Sequence, residues 1–471
     1  MYMAGFTSTG PLDLQTIGQA DGDSAPYSLS EYYNVTFTDG SSTPSTGTIS
    51  ISDFLGKTIG SGGTWTQQAK LVSPHASYND QFGLSVSVSG DYAIVGAYRE
   101  DPAFPIPSGG QTILTDAGAA YIYVRSGTTW TLQQQLTASD AQPYDRFGWG
   151  VAIDGDYAIV GAPSEDPGNL ASAGSAYIFV RSGTTWSQQT KLTTQPGESY
   201  ARFGHSVDID GDYVIVGMKG GDVGSIRDAG VAYIYVRSGT TWTLQQQLTA
   251  SDAEQYDNFG ISVAIKGSDV VVGAPLEDPG GTSSAGSAYV FTRSGTSWSQ
   301  QAKLTASSGG AYDYFGDRVA IDGNYIVVGA FFANIQSYVF GSGFVTLTDA
   351  GSAYIFMRSG TSWSQQAKLT ASDMATSDRF GSAVAIEGTR VVIGAMYEDD
   401  GGSNSGATYI FDRSGSTWSQ TIKLVNSDAA ANDRTGLSVS ISGNKLITGA
   451  YYHTVPGAYQ SNQGAAYIYT I

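Results

Sequence analysis

The chain has few residues of the types that carry out catalysis. It contains no cysteine and three histidines, which are His75, His205 and His453. No spacing among the histidines matches a metal triad or a nucleophile with its general base. Acidic residues stand in adjacent pairs such as Glu165-Asp166, so the two carboxyl groups do not face each other across a cleft as in a glycoside hydrolase. The sequence therefore predicts no catalytic residue, no metal site and no cofactor, and we expect the protein not to be an enzyme.

A recurring tyrosine is better suited to binding than to catalysis. A tyrosine stands three residues before a Phe-Gly pair at four places, which are Tyr144, Tyr200, Tyr256 and Tyr312. An aspartate directly follows three of these tyrosines, at Asp145, Asp257 and Asp313. Tyrosine rings offer large amphipathic contact surfaces, and carboxylates accept hydrogen bonds from hydroxyl groups. The pattern predicts a binding face for a glycan or protein surface, and packing of the tyrosines between repeats is the alternative.

This spacing belongs to a repeat that covers most of the chain. Seven of the eight tryptophans recur at intervals of 55 to 65 residues, at Trp65, Trp130, Trp186, Trp242, Trp298, Trp363 and Trp418. Each copy contains four short segments rich in β-branched and aromatic residues, separated by turn sequences such as Asp-Gly-Asp and Arg-Ser-Gly-Thr. The pattern predicts an all-β fold, a seven-bladed β-propeller with four-stranded blades over residues 61–471, behind a short segment over residues 1–60.

The two ends of the repeat region are predicted to pair with each other. The region opens with a single strand, Trp65 to Leu71, and ends after a strand that contains Tyr467. The last copy thus lacks the outer strand that the first copy has in excess. Pairing of these strands closes the ring and leaves no open sheet edge, whereas a linear β-solenoid, the alternative, needs caps and has shorter coils.

Two expanded loops are further candidates for the binding face. In a propeller, the loops between strands 2 and 3 and between strand 4 and the next strand 1 share one face. Gly96 to Tyr121 and Gly329 to Tyr354 each span 25 residues, against 16 residues in three other copies. These segments carry apolar residues that include Phe104, Phe331, Phe332 and Phe344. Long loops on rigid scaffolds commonly carry function, and packing over the blade is the alternative.

The repeat resembles a known family. The Phe-Gly pairs and the Gly161-Ala162-Pro163 and Gly273-Ala274-Pro275 segments resemble the FG-GAP repeats of the integrin α-subunit propeller and its bacterial relatives. The resemblance implies a propeller and, in many such blades, a D-x-D-x-D-G calcium loop between the first two strands. This chain has only a short turn there, such as Asp154-Gly155-Asp156. We therefore predict that the calcium sites of the family are not retained.

The segment in front of the repeats carries a second resemblance. The phrases SLSEYY, which contains Tyr32 and Tyr33, and GTISISDFLGK resemble segments near the start of bacteriophage tail-fibre and minor tail proteins. The resemblance implies a docking segment for other tail proteins. Its predicted contact residues are Tyr32, Tyr33, Ile49, Ile51, Phe54 and Leu55.

The negative net charge of the chain makes some classes of binding partner unfavourable. The formal net charge of −19 disfavours nucleic acid and anionic lipid surfaces, and no apolar segment is long enough to span a bilayer. We expect a structural protein of a virion, in a phage tail or fibre within a larger assembly, whose propeller binds other virion proteins or a host surface glycan or protein. The alternatives are a bacterial surface or secreted FG-GAP adhesin that binds glycans and, third, a propeller glycoside hydrolase.

Overall fold

Seven antiparallel four-stranded sheets form the repeat region, as predicted. The computed structural model describes residues 64–105, 111–194, 196–339, 343–455 and 461–471. Within these ranges, two short 3-10 turns at Pro167–Asn169 and Pro279–Gly281 are the helical elements. The contacts of the chain place the propeller body at Thr66–Thr470. The described residues contain no helix that is long and apolar enough to cross a membrane.

The strands follow the repeat in order. Blade 1 contains β2 (Val86–Ser89), β3 (Tyr92–Ala97), β6 (Ala119–Ser126) and β7 (Thr129–Leu136). Blade 2 contains β8 (Val151–Asp154), β9 (Tyr157–Ala162), β10 (Ser175–Ser182) and β11 (Thr185–Leu192). Blade 3 contains β12 (Phe203–Asp210), β13 (Tyr213–Met218), β14 (Val231–Ser238) and β15 (Thr241–Leu248). Blade 4 contains β16 (Val263–Lys266), β17 (Asp269–Ala274), β18 (Ser287–Ser294) and β19 (Ser297–Leu304).

The remaining blades complete the ring. Blade 5 contains β20 (Arg318–Asp322), β21 (Tyr325–Ala330), β24 (Ser352–Ser359) and β25 (Ser362–Leu369). Blade 6 contains β26 (Phe380–Glu387), β27 (Arg390–Ala395), β28 (Ala407–Ser414) and β29 (Thr417–Leu424). Blade 7 contains β30 (Thr435–Ser442), β31 (Lys445–Ala450), β32 (Ala465–Thr470) and β1 (Thr66–Leu71). Two extra hairpins, β4–β5 (Ala103–Pro105, Gln111–Ile113) and β22–β23 (Ile335–Val339, Gly343–Leu347), form in the two expanded loops.

The predicted closure is present. Strand β1 is the outer strand of blade 7 and pairs antiparallel with β32, with Thr66 opposite Thr470 and Leu71 opposite Ala466. Leu71 is buried, so the closure contributes apolar packing as well as backbone hydrogen bonds. The blade that holds the ring together thus combines both ends of the repeat region.

Glycine contacts explain why the Phe-Gly and Gly-Ala steps recur. The carbonyl oxygen of Gly204, in the Phe-Gly pair of blade 3, lies so close to Gly161 of blade 2 that a Cβ at Gly161 would be 2.0 Å from it. The equivalent glycines of the other blade interfaces make the same close approach. The phenylalanines of six Phe-Gly pairs are fully buried beside this contact. Neighbouring blades therefore approach through backbone alone at this point, which only glycine permits.

The tryptophans also join neighbouring blades. The Trp186 indole N–H donates to the Gln133 side chain of blade 1 at 2.8 Å, and the same bond recurs from Trp242, Trp298, Trp363 and Trp418. The preceding Arg-Ser-Gly-Thr sequence forms the hairpin between strands 3 and 4, as predicted, and Arg181 stacks 4.5 Å from the centre of the Tyr92 ring. The recurring arginine and tryptophan are thus explained by packing between blades.

Candidate binding surface

One face of the propeller is built from the two kinds of loop that the sequence singled out. The loop between strand 4 and the next strand 1 hydrogen-bonds to the loop between strands 2 and 3 of the preceding blade. Tyr144 N–H, for example, donates to the Thr115 carbonyl oxygen at 2.8 Å, and Phe147 N–H donates to that of Ala117 at 2.9 Å. We call this side of the molecule the loop face.

The four recurring tyrosines project from the loop face into solvent. Their exposed fractions are 58% for Tyr144, 66% for Tyr200, 51% for Tyr256 and 59% for Tyr312. They therefore do not pack between blades, and that alternative is excluded. All four also have a positive φ of 66° to 73°, a left-handed conformation that is unfavourable for a bulky side chain. Blades 1 and 7 carry Asn79 and Asn432 in the same conformation, and asparagine tolerates it better.

The aspartates that follow three of the tyrosines are buried, so the prediction that they form part of the binding face is wrong. Asp145, Asp257 and Asp313 are only 3–4% exposed. Each accepts a hydrogen bond from the backbone N–H three residues earlier, at 2.7 Å, and so holds the turn that presents the tyrosine. Burial raises the pKa of Asp145 to about 7 and that of Asp257 to about 6. These aspartates position the tyrosines and are not available to a ligand.

Partly buried ion clusters hold other acidic residues of the loop face. In blade 2, Lys191 Nζ lies 2.7 Å from Asp140 and 2.9 Å from Glu165, and Tyr177 donates to Asp140 at 3.0 Å. Blade 4 repeats the cluster around Lys303. In blade 6, the carboxylates of Asp373, Glu398 and Asp400 converge as metal ligands would, but Lys423 Nζ lies within 2.7 Å of all three. An ammonium group therefore takes the place that a cation would need.

Carboxylates of the short turns on the opposite face also bind protein groups. Asp154 accepts a hydrogen bond from the backbone N–H of Gly211 in the next blade at 2.8 Å. Asp156 pairs with Arg181 of its own blade. The turn carboxylates thus connect blades and strands, which gives them a role that does not require calcium.

The mouth of the central channel lies within the loop face. The first strands of the seven blades surround the channel, with one valine from each blade on its wall. At the loop face, the channel widens into a cavity of about 270 Å³ whose lining includes Trp149, His205 and Arg318. The Trp149 and His205 rings lie 5.4 Å apart, and Tyr98 packs edge-on against Trp149 at 4.8 Å.

Other positively charged side chains lie near His205 and Arg318. Burial and the neighbouring Arg202 lower the pKa of Lys219 to about 8, and burial, Lys219 and Arg318 lower that of His205. Lys219 stands where two other blades have the proline of Gly-Ala-Pro. Within the described ranges, Lys219 makes no ion pair, and the same holds for the four arginines directly before a Phe-Gly or Thr-Gly step, which are Arg146, Arg202, Arg379 and Arg434.

Two of these arginines are held by aromatic rings. The Arg379 guanidinium lies 4.4 Å from the Phe332 ring and 4.5 Å from the Tyr397 ring. Arg434 stacks at 4.4 Å on Tyr452 and donates to the Tyr451 hydroxyl at 2.9 Å. Cation–π contacts of this kind replace the carboxylate partners that most other arginines of the chain have.

The aromatic residues of the expanded loops have different surroundings. Phe344 is 75% exposed and packs edge-on against Tyr338 of the same hairpin at 5.5 Å between ring centres. Phe104 is half-buried. Phe331 and Phe332 are also half-buried, and their rings lie 4.5 Å apart. Phe344 therefore belongs to the exposed surface, whereas Phe332 serves to pack Arg379.

Sequence reasoning missed Trp149, Lys219 and Arg318. Two of them clearly depart from the repeat. Trp149 is the one tryptophan that does not belong to the seven recurring ones, and Lys219 stands where two other copies have proline. His453 also departs from the repeat. It is 2% exposed, and its ring contacts Lys70 Nζ at 2.7 Å and Asp433 at 2.9 Å, in place of the glutamate of other blades. The predicted docking residues Tyr32, Tyr33, Ile49, Ile51, Phe54 and Leu55 lie outside the described residues.

Comparison with known proteins bears on the repeat region. A search of curated proteins finds no match to the chain. The family described as FG-GAP repeat matches seven consecutive segments, at residues 65–123, 130–179, 186–235, 242–291, 298–356, 363–411 and 418–469. Each segment begins at the outer strand of one blade and ends in the third strand of the next blade. The last segment includes the seventh copy, in which Thr435 replaces phenylalanine and accepts a hydrogen bond from Asn426 at 2.7 Å. The chain belongs to the FG-GAP repeat family, with seven repeats folded as a seven-bladed β-propeller.

Proposed function

We propose that this protein is a non-enzymatic structural protein of a virion, a phage tail or fibre component whose propeller binds a host surface glycan or protein through its loop face. The N-terminal segment attaches the protein to other tail proteins. The propeller then acts as a rigid scaffold that presents the loops.

The tyrosines of the loop face are the observation that carries the proposed binding role. Four consecutive blade junctions expose a tyrosine at the same position, and each tyrosine has an unfavourable left-handed backbone. A hydrogen bond from the tyrosine N–H to the preceding blade fixes this conformation, at 2.7 Å for Tyr200 and 2.9 Å for Tyr312. Strained residues persist where the surrounding structure holds them, and they cluster at functional sites. Exposed tyrosines are also typical anchors of binding surfaces.

The state of the carboxylates supports binding rather than glycoside hydrolysis. A glycosidase needs two carboxyl groups about 5–10 Å apart that both reach the substrate. On the loop face, Glu165 and Glu277 are bound to Lys191 and Lys303, and Asp145 is buried in its turn. These three carboxyl groups therefore stabilise the loops, while the four tyrosines stay exposed.

The attachment role rests on the resemblance of the leading segment to phage tail proteins. The test is to purify particles from a lysate of the strain that carries the gene and to search them for this protein by mass spectrometry. A variant that starts at Gly60 should fold with an unchanged melting curve and be absent from the particles. Full-length protein on the cell surface, with none in particles, would instead favour the FG-GAP adhesin. Equal incorporation of the shortened variant would place attachment elsewhere in the chain.

A further inference from the structure

The loop between strands 2 and 3 of blade 4 carries a small polar residue where most other blades carry a large apolar one. The position lies four residues before the glycine that precedes strand 3, such as Gly174 in blade 2 and Gly286 in blade 4. Half-buried aliphatic side chains occupy it in blades 1, 2, 3 and 5, at Leu114, Leu170, Ile226 and Leu347. Blade 6 has Gly402, and a Cβ there would lie 3.1 Å from the Ala431 nitrogen, because the facing loop closes onto it. Blade 4 has Thr282 at this position.

The facing loop of blade 4 does not fill the space that the smaller side chain leaves. In blade 2 this loop carries Gly197, where an added Cβ would lie 2.7 Å from the Leu170 side chain. Gly309 is the equivalent residue of blade 4, since both glycines stand three residues before an exposed tyrosine. A Cβ at Gly309 would meet Ala306 at 3.3 Å, and no atom of Thr282 would lie within 4 Å of it. Leucine therefore closes the junction in blade 2, and threonine leaves it open in blade 4.

The two loops otherwise have the same backbone turn. Ala173 N–H donates to the Leu170 carbonyl oxygen in blade 2, and Ala285 N–H donates to that of Thr282 in blade 4, both at 3.2 Å. The difference between the junctions thus lies in the side chains and not in the path of the chain.

A cavity of about 490 Å³ opens between the two loops of blade 4. This volume lies within the range of small-molecule sites. Thr282, Thr305 and Ser307 line the cavity, and their hydroxyl groups make no hydrogen bond to another described residue. Pro279 and Ala306 contribute apolar surface to the same lining. The cavity thus combines free hydroxyl groups with apolar patches, which is the mixture that a sugar ring presents in return.

The lining offers no unpaired charge to a ligand. Lys303 is the one charged residue among the lining residues, and its Nζ lies 2.7 Å from both Asp252 and Glu277. An anionic ligand would have to compete with these two carboxylates for the lysine. The net charge of −19 adds to this repulsion. The chemistry of the cavity therefore favours an uncharged ligand.

We infer that the blade 4 cavity binds one uncharged sugar ring, with Thr282 and Ser307 on its hydroxyl groups and Pro279 and Ala306 against its C–H atoms. The inference deepens the proposed binding role of the loop face, and it rests on that role for the source of the sugar, a host surface glycan. Tyr312 belongs to the same junction, because its N–H donates to the carbonyl oxygen of Ser283, the residue after Thr282, at 2.9 Å. A glycan held in the cavity thus continues over the exposed face beside this tyrosine.

The test is a saturation-transfer difference NMR titration of the full chain with the methyl glycosides of glucose, galactose, mannose and N-acetylglucosamine. At least one methyl glycoside should bind. Sodium glucuronate, which is charged, and glycerol, which lacks the ring, should bind at least about tenfold more weakly. Thr282→Leu gives blade 4 the residue of blades 1, 2 and 5, and it should weaken binding about tenfold or more because leucine fills the cavity. Thr282→Val should weaken it about threefold to tenfold, as expected for one hydrogen bond between uncharged groups.

Thr348→Leu is the matched control. Thr348 is exposed in the equivalent loop of blade 5 and does not line the cavity. The variant adds the same side chain and should leave binding within about twofold of the parent protein. Circular dichroism melting curves show which variants are folded, and Thr282→Val decides the matter if Thr282→Leu does not fold.

Four results would each overturn the inference. They are absence of binding by all four methyl glycosides, equal binding of glucuronate or glycerol, unchanged binding in a folded Thr282 variant, and an equal loss in Thr348→Leu. The proposed function is tested separately, on cells. A parent protein that binds a methyl glycoside but does not adsorb to cells would contradict the proposed function alone. Adsorption that depends on the four tyrosines, without any glycoside binding, would contradict this inference alone.

Discussion

The substitution Gly161→Ala tests whether close backbone contact between blades is the reason for the family motif. Gly161 does not have a positive φ, so the added methyl group acts only through the space it needs. That methyl would lie 2.0 Å from the carbonyl oxygen of Gly204 and 2.9 Å from its carbonyl carbon. Reaching an ordinary contact of ~3.3 Å requires blades 2 and 3 to separate by ~1 Å, which forfeits a quarter to a half of the dispersion energy of the contacts that open.

The expected cost is ~3 kcal/mol or more in the free energy of unfolding, at the upper end of overpacking substitutions. With an unfolding entropy of ~0.8 kcal/mol/K for a body of this size, the melting temperature should fall by ~4 °C or more. Gly150→Ala is the control at the same blade interface, because its nearest atom, the His205 carbonyl oxygen, would lie 3.4 Å from the methyl group. It should be neutral or stabilising by up to ~1 kcal/mol, since alanine reduces the freedom of the unfolded chain. Differential scanning calorimetry would refute the reasoning if both variants melted alike.

Three further predictions concern closure, pH and metal. Deletion of Thr66–Leu71 should cost at least ~5 kcal/mol, because it removes buried Leu71 and opens the edge of β32, and an unchanged melting curve would contradict the closure. Burial and the neighbouring Asp80 raise the pKa of Glu100 to about 8, so the folded protein binds more protons than the unfolded chain between pH ~4 and ~8, and stability should fall as pH rises through this window. Glu100→Gln should flatten that slope in melting curves at pH 5 and pH 8, and an unchanged slope would count against the assignment. Excess EDTA should leave the melting temperature unchanged, because Asp154 and Asp156 bind protein groups, and a large decrease that calcium reverses would reveal a site.

The architecture could be predicted from sequence because each blade repeats the same local pattern. Turn residues, strand composition and the position of Trp65 relative to Tyr467 determine the blades and their closure, and the structure confirms both. The binding surface was less predictable. Tyrosine followed by aspartate does not show which side chain faces solvent, and the backbone N–H of Gln142 draws Asp145 inward while Tyr144 projects outward.

The channel mouth could not be predicted because it forms from residues of different blades that break the repeat. Trp149, His205 and Arg318 belong to three blade junctions and meet only when the ring closes. Their types do not recur at equivalent positions, so a search for periodic residues passes over them. A search for departures from the repeat would have found Trp149 and Lys219.

The most direct measurement of the proposed function is adsorption of labelled protein to cells of the strain that supports the particles. The variant replaces Tyr144, Tyr200, Tyr256 and Tyr312 with asparagine, the residue that blades 1 and 7 carry at this position. Asparagine suits the left-handed backbone, so the melting temperature should stay within ~2 °C of the parent protein. We predict that the parent adsorbs and that the folded variant loses at least nine-tenths of the adsorption. Equal adsorption of both proteins, or none by the parent, would contradict the role of the loop face.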